Sequence, residues 1–411
     1  MADIPQLHLI GLVPDHQWIP PAVIKIIEES DVLAGGDRLL EMFPDFPGRK
    51  CRLTVPLEGW LKELGELQRQ GQKVTVLSSG DPNYFGLAKK LLEVIEPDGV
   101  TIVPTTTVVQ QAFARLKLSW ERTEVVSLHG RSGMTTFWGA LYRASHYYGS
   151  GYLAVYTDPE NTPTVIAKRL LGRGQHNWRM LVFEDLGTED ERMTSWTLFD
   201  AKLRKFSPLN LVVLENLKRP APISIGMPEG VYVHEAGLIT KREIRVVALG
   251  LLELQPYHTL WDLGAGSGSV SIEAAALLPH GSVWSVEKSP LRSEQIAANR
   301  AYFGATQVEV IEDDALAAMP HLPSPDRVFI GGGGKDLSFI IRQAHARLKP
   351  NGLMVANVIS IDALRQATLV MADLGLELSV TQLQAARSEP LGDSIFLKPQ
   401  NQIWLVRGDA R

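Results

Sequence analysis

The sequence is poor in cysteine: Cys51 is the one thiol in 411 residues. That excludes an intramolecular disulfide and a thiolate cluster for zinc or iron–sulfur. Its context, Arg-Lys-Cys-Arg-Leu, offers no spacing that identifies a base, so the thiol is read as structural. Long apolar runs are also missing, and none approaches the roughly 20 residues that cross a bilayer. The opening MADIPQLHLIGLVPD has no cationic segment before an apolar one, unlike a secretory signal. A soluble, cytoplasmic protein is expected. Basic charge is not in excess, with 41 Lys and Arg against 46 Asp and Glu for a formal net charge of −5. Nucleic acid and anionic membranes are therefore disfavoured as partners, although local Arg and Lys side chains can still serve small anions. No short-period repeat or low-complexity tail interrupts the chain.

What is present is ordinary globular material: 45% hydrophobic and 21% charged residues, in a chain long enough for two cores. The first half alternates β-branched or aliphatic runs with amphipathic stretches, the pattern of α/β layers. Strands are expected over 7–10, 74–77, 101–103, 125–128, 152–156, 180–183 and 211–214, with helices over 23–29, 84–95, 108–117 and 163–171. Asp81 before Pro82 and Thr162 before Pro163 have the chemistry of helix starts. Prolines and glycines break every periodic pattern over 216–236, which marks a linker between domains at 1–215 and 237–411. Thr240 and Glu243 then have capping-box spacing for a helix carrying Ile244, Val247 and Leu251 on one face. Strands follow over 259–262, 282–286, 308–311, 327–330 and 352–356, alternating with helices over 270–278, 291–303 and 337–348. An antiparallel pair over 377–382 and 402–406 closes the chain.

The strongest local signal is TLWDLGAGSGSVSIEAA, a strand ending at Asp262, then Gly264, Gly266 and Gly268, then a helix. Such glycines let backbone approach a ligand closely, and the helix start offers free N–H groups. A dinucleotide fingerprint reads G-x-G-x-x-G. This loop reads G-x-G-x-G with a carboxylate two positions ahead, which suits the amino group and positive charge of S-adenosylmethionine and would repel a pyrophosphate. Glu287, ending the second strand, is placed for ribose hydroxyls. Asp313, Asp314 and Ala315, after the third, are placed for adenine. Gly331 to Gly334 and Lys335 form an open rim for a large planar substrate, with Gly332, Gly333 and Lys335 as candidate contacts. Read singly, each feature has a structural explanation: a turn, a solvated strand end, a loop charge. Their succession at the intervals of βα units favours a cofactor site.

GLITKREIRVVALGLLEL, DLGAGSGSVSIEAA and VFIGGGG, in this order, resemble the decarboxylating precorrin methyltransferases of the class I Rossmann-like type over nearly all of 230–407. The resemblance adds Thr240 and Lys241 to the cofactor residues. Asp313 departs from it, standing where a glycine is expected. In the first half, VTVLSSGDPNYFGLAKKLL resembles the signature of the tetrapyrrole methylases, whose fold, the class III methyltransferase fold, has two α/β subdomains. AGGDRLLEMFP, VVQQAFARL, VVSLHGR, YTDPENTPTVIAKRLL, EDLGTEDERM and SPLNLVVLE extend the likeness over most of 7–215. By matching position, Gly11, Pro14, Ser79, Gly80, Asp81, Tyr84, Thr157 and Asp158 would hold cofactor there. Arg38, Arg115, His129, Arg131 and Arg192 are candidates for a substrate rich in carboxylates. The family's glycine-rich opening loop is here Gly11-Leu12-Val13-Pro14-Asp15, short of two glycines.

The resemblance implies S-adenosylmethionine in each half, S-adenosylhomocysteine as product, no metal, and a corrinoid tetrapyrrole of the cobalamin pathway as substrate. It implies methylation of meso carbon 5 by the first domain, and by the second methylation of carbon 15 with loss of carbon dioxide from the ring C acetate. A homo-oligomer is expected. Three other readings stay open: a NAD-binding oxidoreductase, a first domain kept for assembly without catalysis, and a class I methyltransferase for RNA or a small metabolite. Gly268 one place too early for NAD, the acidic balance and the first half's motifs count against them.

Overall fold

The computed structural model describes residues 6–13, 18–129, 133–147, 151–235 and 237–410. Pro14 and Arg131 lie outside the described residues. The first half builds two five-stranded sheets. In the first sheet all strands are parallel, in the order Arg49–Arg52, Val32–Gly35, Val74–Ser79, Leu7–Leu12, Val100–Val103. Alternation along Leu7–Leu12 sends Leu7 and Leu9 to one face, against Trp60, Leu61 and Leu64 of helix Leu57–Arg69. Ile10 and Leu12 go to the other, against Val23 and Ile27 of helix Pro21–Glu28. Burial on both faces is what a parallel sheet flanked by helices requires. Cys51 is buried in the first of these clusters.

The second sheet runs Glu124–Ser127, Tyr152–Tyr156, Asn210–Asn216, Trp178–Glu184, Arg192–Thr197, with one parallel pair and three antiparallel pairs. Helices Gly133–His146 and Pro163–Gly172 cover one face and Val108–Leu116 the other. Thr162 caps its helix as expected. The helix expected over 84–95 is reduced to Ala88–Leu92. Phe85 takes a left-handed conformation at φ 56°. Gly86 packs so tightly on Pro82 that a Cβ would stand 2.4 Å from its carbonyl oxygen. Asp81 accordingly accepts the Asn83 N–H in a turn and does not start a helix.

The second half forms a seven-stranded sheet in the order Val308–Glu312, Ser282–Glu287, Thr259–Leu263, Arg327–Ile330, Leu353–Val358, Ile403–Asp409, Glu377–Leu383. The first five are parallel and the last two add antiparallel, as the closing pair predicts. Thr259–Leu263, the first strand of the half, lies between its second and fourth strands, so the order reverses there. Ligands of open α/β sheets bind beyond the carboxyl ends of strands at such a switch. A hairpin, Ala386–Leu391 with Ser394–Pro399, projects from the last turns of the chain.

Asn216 ends the last strand of the second sheet, and residues 221–235 pack onto the second half. Met227 and Tyr232 are buried in its core, and Glu273 accepts the N–H groups of Gly226 and Met227, the Tyr232 hydroxyl and Arg245 Nε. The expected capping box does not form. Lys241 is the N-cap of helix Arg242–Leu251, without a side-chain cap, because Glu243 is drawn to Arg387 while the Thr240 carbonyl accepts from Arg245. The halves meet along helix Gly133–His146. Arg173 stacks 4.0 Å over Trp138, pairs with Glu309 and donates to the Thr306 carbonyl at 2.8 Å. Arg143, bidentate on Glu124, donates to the Pro279 carbonyl at 2.7 Å.

Candidate functional site

At the switch of the third sheet lies a cleft of about 810 Å³. The loop after Leu263 forms its floor because Gly264, Gly266 and Gly268 all take positive φ (74°, 60° and 75°), which L side chains rarely adopt. A Cβ on Gly264 would stand 3.0 Å from the Gly332 nitrogen, so the two glycine segments touch backbone to backbone. At Gly266 a Cβ would meet nothing within 4 Å; it faces the open cleft. Gly268 does not line the cleft. It starts helix Ser269–Leu277 and packs on Ile296.

Glu287 is buried at the end of its strand and accepts the Gly266 N–H at 2.9 Å and the Ser289 N–H at 3.1 Å, with Arg292 3.6 Å away. Asp313 and Asp314 follow the next strand, Asp314 capping a short helix through the Leu316 N–H. Thr240, Lys241, Ala315, Gly332, Gly333 and Lys335 line the same cleft. The glycine run is more ordered than the open rim expected. Gly331 donates to the Leu263 carbonyl, and Gly334–Asp336 form a turn of 3-10 helix.

Asp262 was expected to face the cofactor and does not reach the cleft. It is 1% exposed, beneath the glycine loop, and accepts from Ser271 Oγ, which in turn receives the Ser285 hydroxyl. Burial pushes its carboxyl up to about 7, against the lowering effect of the Ser271 bonds and with a smaller push from Glu287. Ser267, Arg292 and Asn357 line the cleft without having been singled out in the sequence. The Ser267 hydroxyl is buried and has no hydrogen-bond partner among the described residues, which fits a polar ligand on the loop. Glu287, Asp313 and Asp314 on its lining can accept hydrogen bonds from hydroxyl and amino groups.

The first half has its own cleft, about 320 Å³, between its two sheets. Arg38, Ser79, Gly80, Asp81, Tyr84, His129 and Thr157 line it. Arg38 donates to Ser79 Oγ at 3.2 Å, His129 Nδ1 lies 3.1 Å from Ser127 Oγ, and Thr157 donates to Asn210 Oδ1 at 2.9 Å. Phe85 and Tyr156, missed by the sequence reading, join Tyr84 in an aromatic cluster on this wall, with centroids 4.9 to 6.5 Å apart. Burial raises both tyrosine hydroxyls.

Four expected residues stand elsewhere. Gly11 packs against Gly80, where a Cβ would come within 2.6 Å of its carbonyl oxygen. Asp158 is engaged by Asn161; burial opposes its charge, but the bonds from Asn161 and the backbone hold it below the usual range. Arg115 is bidentate on Glu191, and Arg192 pairs with Glu184. Neither lines the cleft, and both are withdrawn as substrate contacts there.

A Rossmann-like methyltransferase unit joined to a tetrapyrrole methylase unit is the class these folds and clefts define. Residues 231–407 match the family model described as a precorrin methyltransferase domain, and residues 6–202 match that of the tetrapyrrole (corrin/porphyrin) methylases. The chain is 32% identical over 401 residues to a precorrin-6Y C(5,15)-methyltransferase [decarboxylating] of Sinorhizobium sp, covering 96% of this chain and 94% of that one. It is 34% identical over 169 residues to the cobalt-precorrin-6B C(15)-methyltransferase (decarboxylating) of Salmonella typhimurium, covering 41% of this chain and 87% of that one. A solved precorrin-6Y C5,15-methyltransferase structure from Geobacter metallireducens GS-15 aligns with 35% identity and a TM-score of 0.45, over 46% of this chain and 100% of that one. The chain belongs to the precorrin-6Y C5,15-methyltransferase (decarboxylating) family.

Proposed function

We propose that this chain is a two-site methyltransferase of cobalamin biosynthesis. The unit at 1–215 methylates carbon 5 of a corrinoid, and the unit at 237–411, joined through 216–236, methylates carbon 15 with loss of carbon dioxide from the ring C acetate. The observation that carries this reading is the cleft on the Gly264–Gly268 loop with Glu287 on its wall, in a chain aligned end to end with a bifunctional relative. S-adenosylmethionine supplies the methyl group as a sulfonium, so the transfer is an in-line displacement that calls for positioning and not for a protein nucleophile.

In the second unit, Glu287 would hold the ribose hydroxyls, Asp314 or Asp313 the adenine amino group, and the loop N–H groups the methionine end. Thr240 and Lys241 are held at the rim by the Arg245–Glu273 pair, both partners fully buried. In the first unit, Ser79, Gly80, Asp81, Tyr84 and Thr157 would hold cofactor, while Arg38 and His129 face the substrate. Self-association into a homo-oligomer is part of the proposal. The full chain, incubated with S-adenosylmethionine and its corrinoid substrate, is expected to yield a product with two added methyl groups and one lost carboxyl group by mass spectrometry. A chain that binds NADH and no S-adenosylhomocysteine would end the reading.

A further inference from the structure

A second cleft of about 760 Å³ lies behind the first and shares a wall with it. Gly331, Gly332, Gly333, Gly334, Lys335, Asn357 and Ile359 line both. Over 331–334, therefore, only main chain divides the two spaces. At Gly332 a Cβ would meet nothing within 4 Å, so the absence of a side chain there serves the opening and not the packing. The far wall of the second cleft is helix Ile361–Asp373, which contributes Arg365 and Leu369.

The chemistry of this surface is mixed in a specific way. Ile359 is 73% exposed and Leu369 54%, an apolar shelf that a flat, largely hydrocarbon ring can cover. Lys335 and Arg365 stand beside it with no ion-pair partner among the described residues, and Asp362 is the one carboxylate among the residues lining the second cleft. Among the residues common to both clefts, Asn357 alone has a buried polar atom without a partner, its Oδ1. A buried acceptor left unpaired is costly and points to a donor supplied by a ligand.

Resting on the function proposed above, we infer that the corrinoid of the decarboxylating reaction lies across the shared glycine wall, with its ring on Ile359 and Leu369. Asn357 accepts a hydrogen bond from a pyrrolic N–H, and Arg365 and Lys335 take peripheral carboxylates. In-line transfer needs the accepting carbon about 3–3.5 Å from the methyl group, so the edge of the ring passes over the glycine rim into the cofactor cleft, where 331–334 present no side chain to obstruct it. Asn357 and Arg365 are thus positioning and specificity residues.

The test uses the full chain and three variants: Asn357→Ala, Arg365→Ala and Gly332→Val. Calorimetry with S-adenosylhomocysteine is expected to give an affinity within about twofold of wild type for Arg365→Ala, whose side chain lines the second cleft and not the first. For carbon 15 methylation, Arg365→Ala raises KM roughly tenfold with kcat little changed, the loss of a charge-assisted contact. Asn357→Ala lowers kcat at least as much, and Gly332→Val blocks turnover. Carbon 5 methylation is unchanged in all three. The exposed Arg365 variant keeps the test open if another variant misfolds. Unaltered carbon 15 kinetics in Arg365→Ala and Asn357→Ala would overturn the inference, as would an S-adenosylhomocysteine affinity that falls in step with kcat/KM in Arg365→Ala. A wild-type chain that binds no S-adenosylhomocysteine would instead sink the underlying function.

Discussion

Two buried acids in the second half do different work. Asp262, raised to about 7 by burial from an ordinary value of 3.8, holds its proton in the folded state where the unfolded chain has lost it. Folding then binds more protons than unfolding, so this group's contribution to stability falls as pH rises between 3.8 and about 7. Urea unfolding of wild type and Asp262→Asn across that window is expected to show the wild type losing stability relative to the variant as pH increases; a constant difference would refute the assignment. Glu273 is instead paired with Arg245, both fully buried, and holds down the segment at Gly226 and Met227. Glu273→Ala leaves the guanidinium buried and uncompensated and is expected to cost about 3–5 kcal/mol in chemical denaturation. Neither role was legible in sequence. Asp262 sits where a cofactor ligand is expected, and Glu273 is one acid in an apolar helical run. Which way each carboxyl points depends on Ser271 and Arg245, residues brought near by the sheet and its helices.

Elements with strong local signals were legible: the closing antiparallel pair, the glycine turn and the helix capped by Thr162. Those the sequence reading omitted include Val32–Gly35, Arg49–Arg52 and Arg192–Thr197. The last two are edge strands, rich in polar or charged residues, whose strand state comes from pairing to a neighbour and not from their own periodicity. Helix Leu57–Arg69 was omitted too, although its burial of Trp60, Leu61 and Leu64 is amphipathic. Between the halves, Arg173 and Arg143 meet Glu309, Thr306 and Pro279, beside hydrogen bonds that join His146 to Phe303, Tyr147 to Ala276 and Thr306 to Trp138. Arg173→Ala strips a largely buried pair and a stacked ring, and is expected to destabilise the chain by about 3 kcal/mol. It is also expected to resolve one calorimetric transition into two as the halves uncouple. A single unshifted transition would show that the contact carries no coupling.

At the scale of the whole molecule, two clefts on separate sheets predict separable chemistry. Glu287→Ala removes the carboxylate that holds the Gly266 N–H. It is expected to weaken S-adenosylhomocysteine binding in the second half at least tenfold and to stop carbon 15 methylation with decarboxylation. Product carrying the carbon 5 methyl group should still form, as mass spectrometry would show. Loss of both methylations would argue against independent sites. The sequence by itself determined the α/β class, the two methyltransferase families and the order of the loop, Glu287 and Asp314 along the chain, because glycine geometry and strand periodicity act over a few residues. The tertiary structure alone decided that Asp262 is shut under the loop, that Arg115 and Arg192 stand outside the first half's cleft beside Glu191 and Glu184, and that Asn357 stands at a wall between two clefts. Those outcomes depend on desolvation and pairing between segments far apart in the chain, which local spacing does not encode.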